Sequence, residues 1–391
     1  MKIALCLEYP IDQTGGTEVL VRELIKGLSL NHQIVLVSPD DSEALARSSV
    51  ASCVSEHIQW KPTDQKVADA RNLADQICLH KVDLAHFHFG GNYAWSNRAY
   101  SQCPVVHVSR QGIPCISTNH GAFSIMEGYC WHIRPLWIKL ALFLPAWLSK
   151  QLVLAHVKTE VAVSKHDCDA LRRWYWPMKK KFRYIYHSQL IAPPPPFNSN
   201  RKKVILCAGT FGYRKGQPYL VEAFCQLGKK FPDWKLVFIG RYDEDDPSMD
   251  HIRALIVSKE LGSQIEFLGR RSDEELTDWM RQSAIFAMPS VFEGLGLSLQ
   301  EAQFNGCACV ASAAGGVVDL LQDDDNGLLV PVKDVQRLTE ALEKLMSDEA
   351  LRNRLSKRAP ISVIEKEMTA LQMVSAYEQL YLELSGTSGP K

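Results

Sequence analysis

Val291-Phe-Glu-Gly-Leu-Gly-Leu-Ser-Leu-Gln-Glu301 brings two carboxylates, two glycines and a helix start together in eleven residues. It follows the apolar run Ala284-Ile-Phe-Ala-Met288, closed by Pro289-Ser290, and so lies just beyond a buried strand. Ser298 and Glu301 have the spacing of a capping box, which puts the helix N-terminus at Ser298 and turns its N–H groups back over Gly294 and Gly296. Such a terminus suits an anion or a ring of hydroxyls. Strand, glycine loop and helix in this order form the unit of a doubly wound parallel sheet, whose ligands bind beyond the carboxyl ends of the strands.

The same unit recurs in both directions. Val204–Ala208, Leu236–Ile239, Ile265–Leu268, Ala308–Ala311 and Leu328–Val330 are further strands with helical stretches between them, giving a domain over 204–370. Before it, Pro193-Pro-Pro-Pro196 and the polar residues after it form a linker over 193–203. Residues 1–192 repeat the pattern: Ile3–Leu7, the loop ending in Gly15-Gly16, and a helix from about Thr17 to Leu28. Strands follow at Ile34–Ser38, Asp83–His88, Cys115–Thr118, Val161–Val163 and Tyr184–Tyr186, with a short helix opening at Pro104. One closing helix is expected from about Ile361 to Leu384, and 371–391 are assigned to that helix and its tail.

Composition excludes several classes. An apolar fraction of 46% with 23% charged residues is that of an ordinary globular protein, and 391 residues imply two cores. Formal net charge is zero, which argues against a nucleic-acid binder, but residues 1–190 carry 21 Lys+Arg against 16 Asp+Glu, leaving 23 against 28 beyond. Eleven cysteines without metal-ligand spacing suit reduced cytoplasmic thiols. The start, Met-Lys-Ile-Ala-Leu-Cys-Leu, has no signal-peptide form, and no run reaches the roughly 18 apolar residues of a spanning helix.

Arg214 and Lys215 stand just ahead of a helix opened by Pro218, where two cations and free N–H groups make a diphosphate site, although for such a pair alone a solvated loop with two surface charges is the commoner arrangement. Walker spacing is absent, which disfavours a P-loop NTPase. Glu301 can be explained as a cap alone, whereas Glu293 has no such role. Gly315-Gly316 would let backbone approach a ligand or simply turn the chain.

Pro289 to Ala302, with Asn305-Gly306, Gly315-Gly316 and Gly327-Leu-Leu-Val-Pro331, resembles the donor site of retaining glycosyltransferases of family 4, marked by two glutamates with seven residues between them. The likeness extends to Gly15-Gly16, Val82–His88, Thr118-Asn-His-Gly121, Val163-Ser164 and Arg214-Lys-Gly216, nearly the whole chain. It implies the GT-B fold: two Rossmann-like domains facing across a cleft, the last helix crossing back to the first. By the same resemblance Glu301 holds the ribose hydroxyls of a UDP- or GDP-sugar and Glu293 contacts the transferred sugar. The backbone of Gly294, Leu295, Gly296 and Leu297 lies along sugar and diphosphate. Lys215, with Arg214, stabilises the departing diphosphate. His120 reaches the sugar from the first domain, and Gly15 and Gly16 lie near phosphates and acceptor. Two departures stand out: Thr210 occupies a position where the family often has arginine, and His187-Ser188 replaces a frequent Asn-Gly pair.

The resemblance further implies front-face attack, the donor's own phosphate taking the acceptor proton, in place of a covalent intermediate. No cofactor and no metal are expected: Asp323-Asp-Asp325 reads as a solvated turn. The acceptor would be a glycan or a lipid-linked sugar. Residues 128–191 carry 11 basic and 3 acidic side chains, and 128–158 no acid at all, with Trp131, Trp137, Phe143 and Trp147 among Arg134, Lys139, Lys150 and Lys158. Two readings stay open: peripheral contact with an anionic membrane at its inner face, or a buried helix begun by Pro135 and kinked by Pro145. Alternatives to transfer are a nucleotide-sugar epimerase or phosphorylase on the same fold, and a catalytically silent subunit of an envelope-assembly complex.

Overall fold

The computed structural model describes residues 1–12, 15–61, 67–89, 102–121, 135–242 and 247–385. Trp131 and Arg134 lie outside these residues, as do the side chains of Lys139 and Phe143. The chain divides into two units, Met1–Gln189 with Ala370–Lys391, and Leu190–Thr369.

The first unit holds a seven-stranded parallel sheet of β1 (Lys2–Leu7), β2 (Gln33–Ser38), β3 (Glu56–Gln59), β4 (Leu84–Phe89), β5 (Cys115–Asn119), β6 (Thr159–Ala162) and β7 (Phe182–Tyr184). Their order is β3-β2-β1-β4-β5-β6-β7. Edge strand β3 is absent from the sequence reading because Glu56-His-Ile-Gln59 buries only Ile58 and has no apolar run. The second unit holds β8 (Lys202–Ala208), β9 (Lys235–Ile239), β10 (Ile265–Phe267), β11 (Ser283–Met288), β12 (Ala308–Ser312) and β13 (Leu328–Val330), in the order β10-β9-β8-β11-β12-β13. Every pairing within the two sheets is parallel. Both sheets are covered by helices, so their central strands are buried on both faces and read as near-continuous apolar runs. In each unit the order reverses beside the first strand, at β1/β4 and β8/β11, and the glycine loops after β1 and β8 stand at those switch points.

Two expectations need correcting. The helix after β11 begins at Leu297, with Gly296 as a left-handed N-cap (φ 97°) and no side-chain cap bond. Ser298 is already inside the helix and its hydroxyl meets the Met288 sulfur at 3.8 Å, so Ser298 and Glu301 form no capping box. A glycine that can turn at positive φ starts the helix two residues earlier than a serine cap at 298 would. The single closing helix is also two: Glu349–Glu365 belongs to the second unit and Ala370–Ser385 to the first. Glu367, at φ 56°, breaks the helical path between them.

Helix Ala370–Ser385 returns to the first unit on two buried tyrosines, Tyr377 and Tyr381, four residues apart on one face. Helix Leu136–His156 starts after Pro135 and contains Pro145. Toward its C-terminal end Val153 and Leu154 enter the core, while Trp137, Leu144, Leu148 and Leu152 are exposed at 69%, 65%, 51% and 39%. The helix is therefore neither wholly buried nor wholly free. Lys150 is no part of its basic surface: it is buried against Glu160 of β6, at 2.6 and 2.8 Å, and Ser117 also donates to Glu160 at 3.0 Å.

Candidate functional site in the glycine loops

In the second unit, two loops at the carboxyl ends of adjacent strands meet. The loop after β8 carries a 3₁₀ turn, Tyr213–Lys215, and the loop after β11 carries Glu293. Val291 N–H donates to the Arg214 carbonyl at 2.8 Å, so the two loops are joined through backbone. A glycine on each side lets backbone pack closely on the Glu293 loop: Gly216 in the loop after β8 and Gly315 in the loop after β12. Gly216 lies at φ 65° and a Cβ there would sit 2.1 Å from the Pro289 carbonyl oxygen. Gly315 lies at φ 56° and a Cβ there would sit 1.9 Å from the Glu293 carbonyl oxygen. Each position therefore needs glycine for both conformation and space. Gly315 thus serves the Glu293 loop, which separates it from a plain turn.

The loops bring Lys215 and Glu293 together. Lys215 Nζ donates to Glu293 Oε1 at 2.6 Å, and Ser290 Oγ donates to the same oxygen at 2.8 Å. Glu293 is 6% exposed. Burial acts to raise its pKa, but the charge and hydrogen bond of Lys215, with Arg214 and Ser290, outweigh that and hold it below the usual carboxylate range. The carboxylate is thus ionised and held by a cation. Ser290 was missed in the sequence, where it read only as the close of a strand. Pro218 is the second residue of helix Gln217–Leu227, whose Gln217 side chain donates to the Thr210 carbonyl at 3.3 Å.

Glu301 is placed apart from this pair, in the second turn of helix Leu297–Phe304, and is partly buried. Among the described residues no hydrogen bond or ion pair engages its carboxyl. Burial, and then the charge of Asp273, push its pKa up to about 8. A carboxyl held in this way lacks partners that ligand hydroxyls would supply. Gly294, Leu295 and Gly296 are buried, and Leu297 is half-buried. Asp323-Asp-Asp325 is an exposed turn fastened by ion pairs, Asp324 to Arg354 at 2.6 Å and Asp325 to Arg358 at 3.1 Å. No described cluster of three His, Cys, Asp or Glu side chains has metal-binding geometry.

In the first unit, Gly15 precedes helix Gly16–Leu28 as its N-cap, at the end of the loop after β1. His120 follows β5, and its Nε2 lies 3.1 Å from Nδ1 of His88 on β4. His86, two residues before His88 and on the same face of β4, is bonded to Tyr381 at 2.6 Å and to Thr118 at 2.8 Å. Tyr377 bonds Thr118 at 2.8 Å and His187 at 2.7 Å. His187, given no role in the sequence reading, thus joins the anchor of the returning helix. The signal for this cluster was two histidines at strand spacing and two tyrosines at helical spacing, but nothing linear links them.

The chain matches the family described as Glycosyltransferase Family 4 over residues 14–188 and that described as Glycosyl transferases group 1 over residues 192–361. It is 30% identical over 151 residues to the lipopolysaccharide core biosynthesis mannosyltransferase LpcC of Rhizobium leguminosarum bv. viciae, covering 38% of this chain and 42% of that one. It spans less than half the length of the curated relatives it matches first. Among solved structures it is similar to a glycosyltransferase from Rickettsia africae ESF-5, with TM-score 0.77 and 18% identity over 99% of both chains. It is also similar to HepE from Anabaena in complex with UDP and glucose, with TM-score 0.73 and 15% identity over 98% of this chain and 100% of that one. These likenesses, with the two parallel sheets, give the GT-B fold.

Proposed function

Because the chain belongs to the family 4 type of glycosyltransferase, we propose that it moves a hexose from a nucleotide diphosphate sugar to a glycan or lipid-linked acceptor, with retention at the anomeric carbon. The observation that carries this reading is the Lys215–Glu293 pair, held at the sheet's switch point where Gly216 lets the loop after β8 touch the loop after β11, which Gly315 of the loop after β12 backs from its other side. On binding, a diphosphate would draw Lys215, with Arg214, toward its oxygens, and the charge released as the glycosidic bond breaks would fall on those cations. Glu293, freed from part of its ion pair, would then accept hydrogen bonds from sugar hydroxyls. Glu301 would take the ribose diol, and the backbone of Gly294–Leu297 would run beside the sugar and diphosphate. His120 would contact the transferred sugar, and Gly15 and Gly16 the phosphates and acceptor. No glutamate acts as nucleophile and no metal or cofactor takes part; the departing phosphate accepts the acceptor's proton.

The setting proposed is cell-envelope polysaccharide or glycolipid synthesis, in the cytoplasm at the inner face of the membrane. The relative LpcC is named for lipopolysaccharide core synthesis, and the solved HepE structure holds UDP and glucose. Support within the chain comes from the exposed stripe Trp137, Leu144, Leu148 and Leu152, and from Trp176, Lys179 and Lys180, also exposed, on a 3₁₀ turn packed against the same helix. No described helix is long and apolar enough to cross a membrane. In a vesicle sedimentation assay at low salt, Trp137→Ser/Leu144→Ser is expected to lose binding to anionic vesicles; wild-type protein that ignores such vesicles refutes the membrane contact.

Uridine, guanosine and adenosine diphosphate sugars, offered one by one, should single out a donor by thermal stabilisation and slow hydrolysis. A donor that is bound but never transferred or hydrolysed with any acceptor would favour the silent subunit.

A further inference from the structure

Four histidines of the first unit form one cluster. Ring centroids are 4.0 Å apart for His86 and His88, 5.4 Å for His88 and His120, and 5.1 Å for His120 and His187. Tyr377 and Tyr381 pack against His86, and Tyr377 also against His187. Burial, reinforced for His86, His88 and His187 by the neighbouring imidazoles, keeps the four neutral: His86 and His120 are lowered to about 3, His88 and His187 well below their usual range.

A neutral imidazole has one N–H and one bare nitrogen. The 3.1 Å contact between His88 Nδ1 and His120 Nε2 therefore needs one hydrogen, supplied by one ring or the other. His88 is 2% exposed, and its other nitrogen, Nε2, is buried without a hydrogen-bond partner among the described residues. If His120 were the donor, His88 would carry its own hydrogen on that Nε2, as a buried N–H with no acceptor. If His88 is the donor, only a bare lone pair is left without a partner. Orphaned buried N–H groups are the rarer defect, so the second arrangement is favoured.

We propose that His88 is a positioning residue that fixes His120 in its Nδ1–H tautomer, so that His120 meets a ligand oxygen as a neutral hydrogen-bond donor and not as a base. This rests on reading His120 as a donor-sugar contact. It deepens that reading, because a fixed N–H suits a sugar hydroxyl or phosphate oxygen that must be held without proton transfer. It also agrees with the departing phosphate taking the acceptor proton, since His120 then has no proton to accept.

The test is a long-range proton–nitrogen spectrum of the full chain carrying nitrogen-15 histidine, with the His120 signals assigned by their loss in His120→Gln. Wild-type His120 is expected to show a protonated Nδ1 and a bare Nε2. His88→Phe keeps a ring but removes the donor, and should shift His120 toward the Nε2–H form. Hydrolysis of the nucleotide sugar should then fall in kcat/KM on the order of tenfold, the loss of one hydrogen bond's worth of alignment. A wild-type His120 protonated on Nε2, or a tautomer unmoved by His88→Phe, overturns the proposal. If His88→Phe does not fold, the wild-type spectrum decides alone. If no nucleotide sugar is turned over, the functional reading fails while the tautomer measurement still stands.

Discussion

Glu301 gives a quantitative prediction, because a carboxyl with a pKa of about 8 is mostly protonated at neutral pH. If it accepts hydrogen bonds from the ribose diol, the ionised form is the one that binds. With a pKa of about 8, about one molecule in eleven has Glu301 ionised at pH 7 and about ten in eleven at pH 9. Donor affinity should therefore rise about tenfold between those values, or about 1.4 kcal/mol. Isothermal titration of the nucleotide sugar at half-unit steps from pH 7 to pH 9 reads this directly. Glu301→Gln serves as the blank, since any ionisation of the ligand appears equally in both proteins. A flat affinity in the wild type, or a slope that survives in Glu301→Gln, refutes the assignment. Stability gives a second reading with the opposite sign. The folded pKa lies above the unfolded value of 4.5, so the fold binds the extra proton between the two and loses that contribution as pH rises through about 8. Glu301→Gln should accordingly melt higher than wild type at pH 9.

Other changes separate the parts of the fold. Lys215→Met leaves the buried Glu293 without its main counter-charge and should destabilise by about 3 kcal/mol in urea unfolding, whereas Glu293→Gln leaves only a partly exposed lysine and should cost much less. The Glu293 pKa is depressed in the fold, so its contribution is present above the unfolded value and lost as pH falls through the folded one; the gap between Glu293→Gln and wild type should narrow in acid. At Lys150, 2% exposed against Glu160, the Lys150→Met variant should lose about 3–5 kcal/mol, and Lys150→Met/Glu160→Leu should recover most of it; equal melting of the two variants would contradict this. Transfer activity is expected to survive excess chelator, and a loss restored by magnesium or manganese would require a metal.

The strands of both sheets, apart from β3 and the edge strand β7, which was placed at Tyr184–Tyr186 but runs Phe182–Tyr184 with only Phe182 buried, were legible because a strand buried on both faces must be apolar along its length, and short apolar runs closed by Gly, Pro or polar residues survive in the linear text. Glu293, Lys215, Gly216 and Gly315 were legible too, since the loops after β8, β11 and β12 are local features. Where Leu297–Phe304 begins was not, because a serine–glutamate spacing and a left-handed glycine compete for the same helix start, and the backbone path decided for Gly296. The role of Lys150 was misread for a similar reason: composition counts a charge, whereas burial against Glu160 removes it from the surface.

The sequence by itself determined two doubly wound domains, their family and the loops that carry the charged pair, since each depends on periodicity or on neighbours within a dozen residues. Tertiary structure alone decided what those groups are worth. Desolvation raises Glu301 while Lys215 lowers Glu293, although the two carboxylates are chemically identical and stand in one eleven-residue stretch. It also brought Tyr377 to Thr118 across 259 residues and His88 to His120 across 32, because a pKa or a tautomer is set by what packs around a group in space.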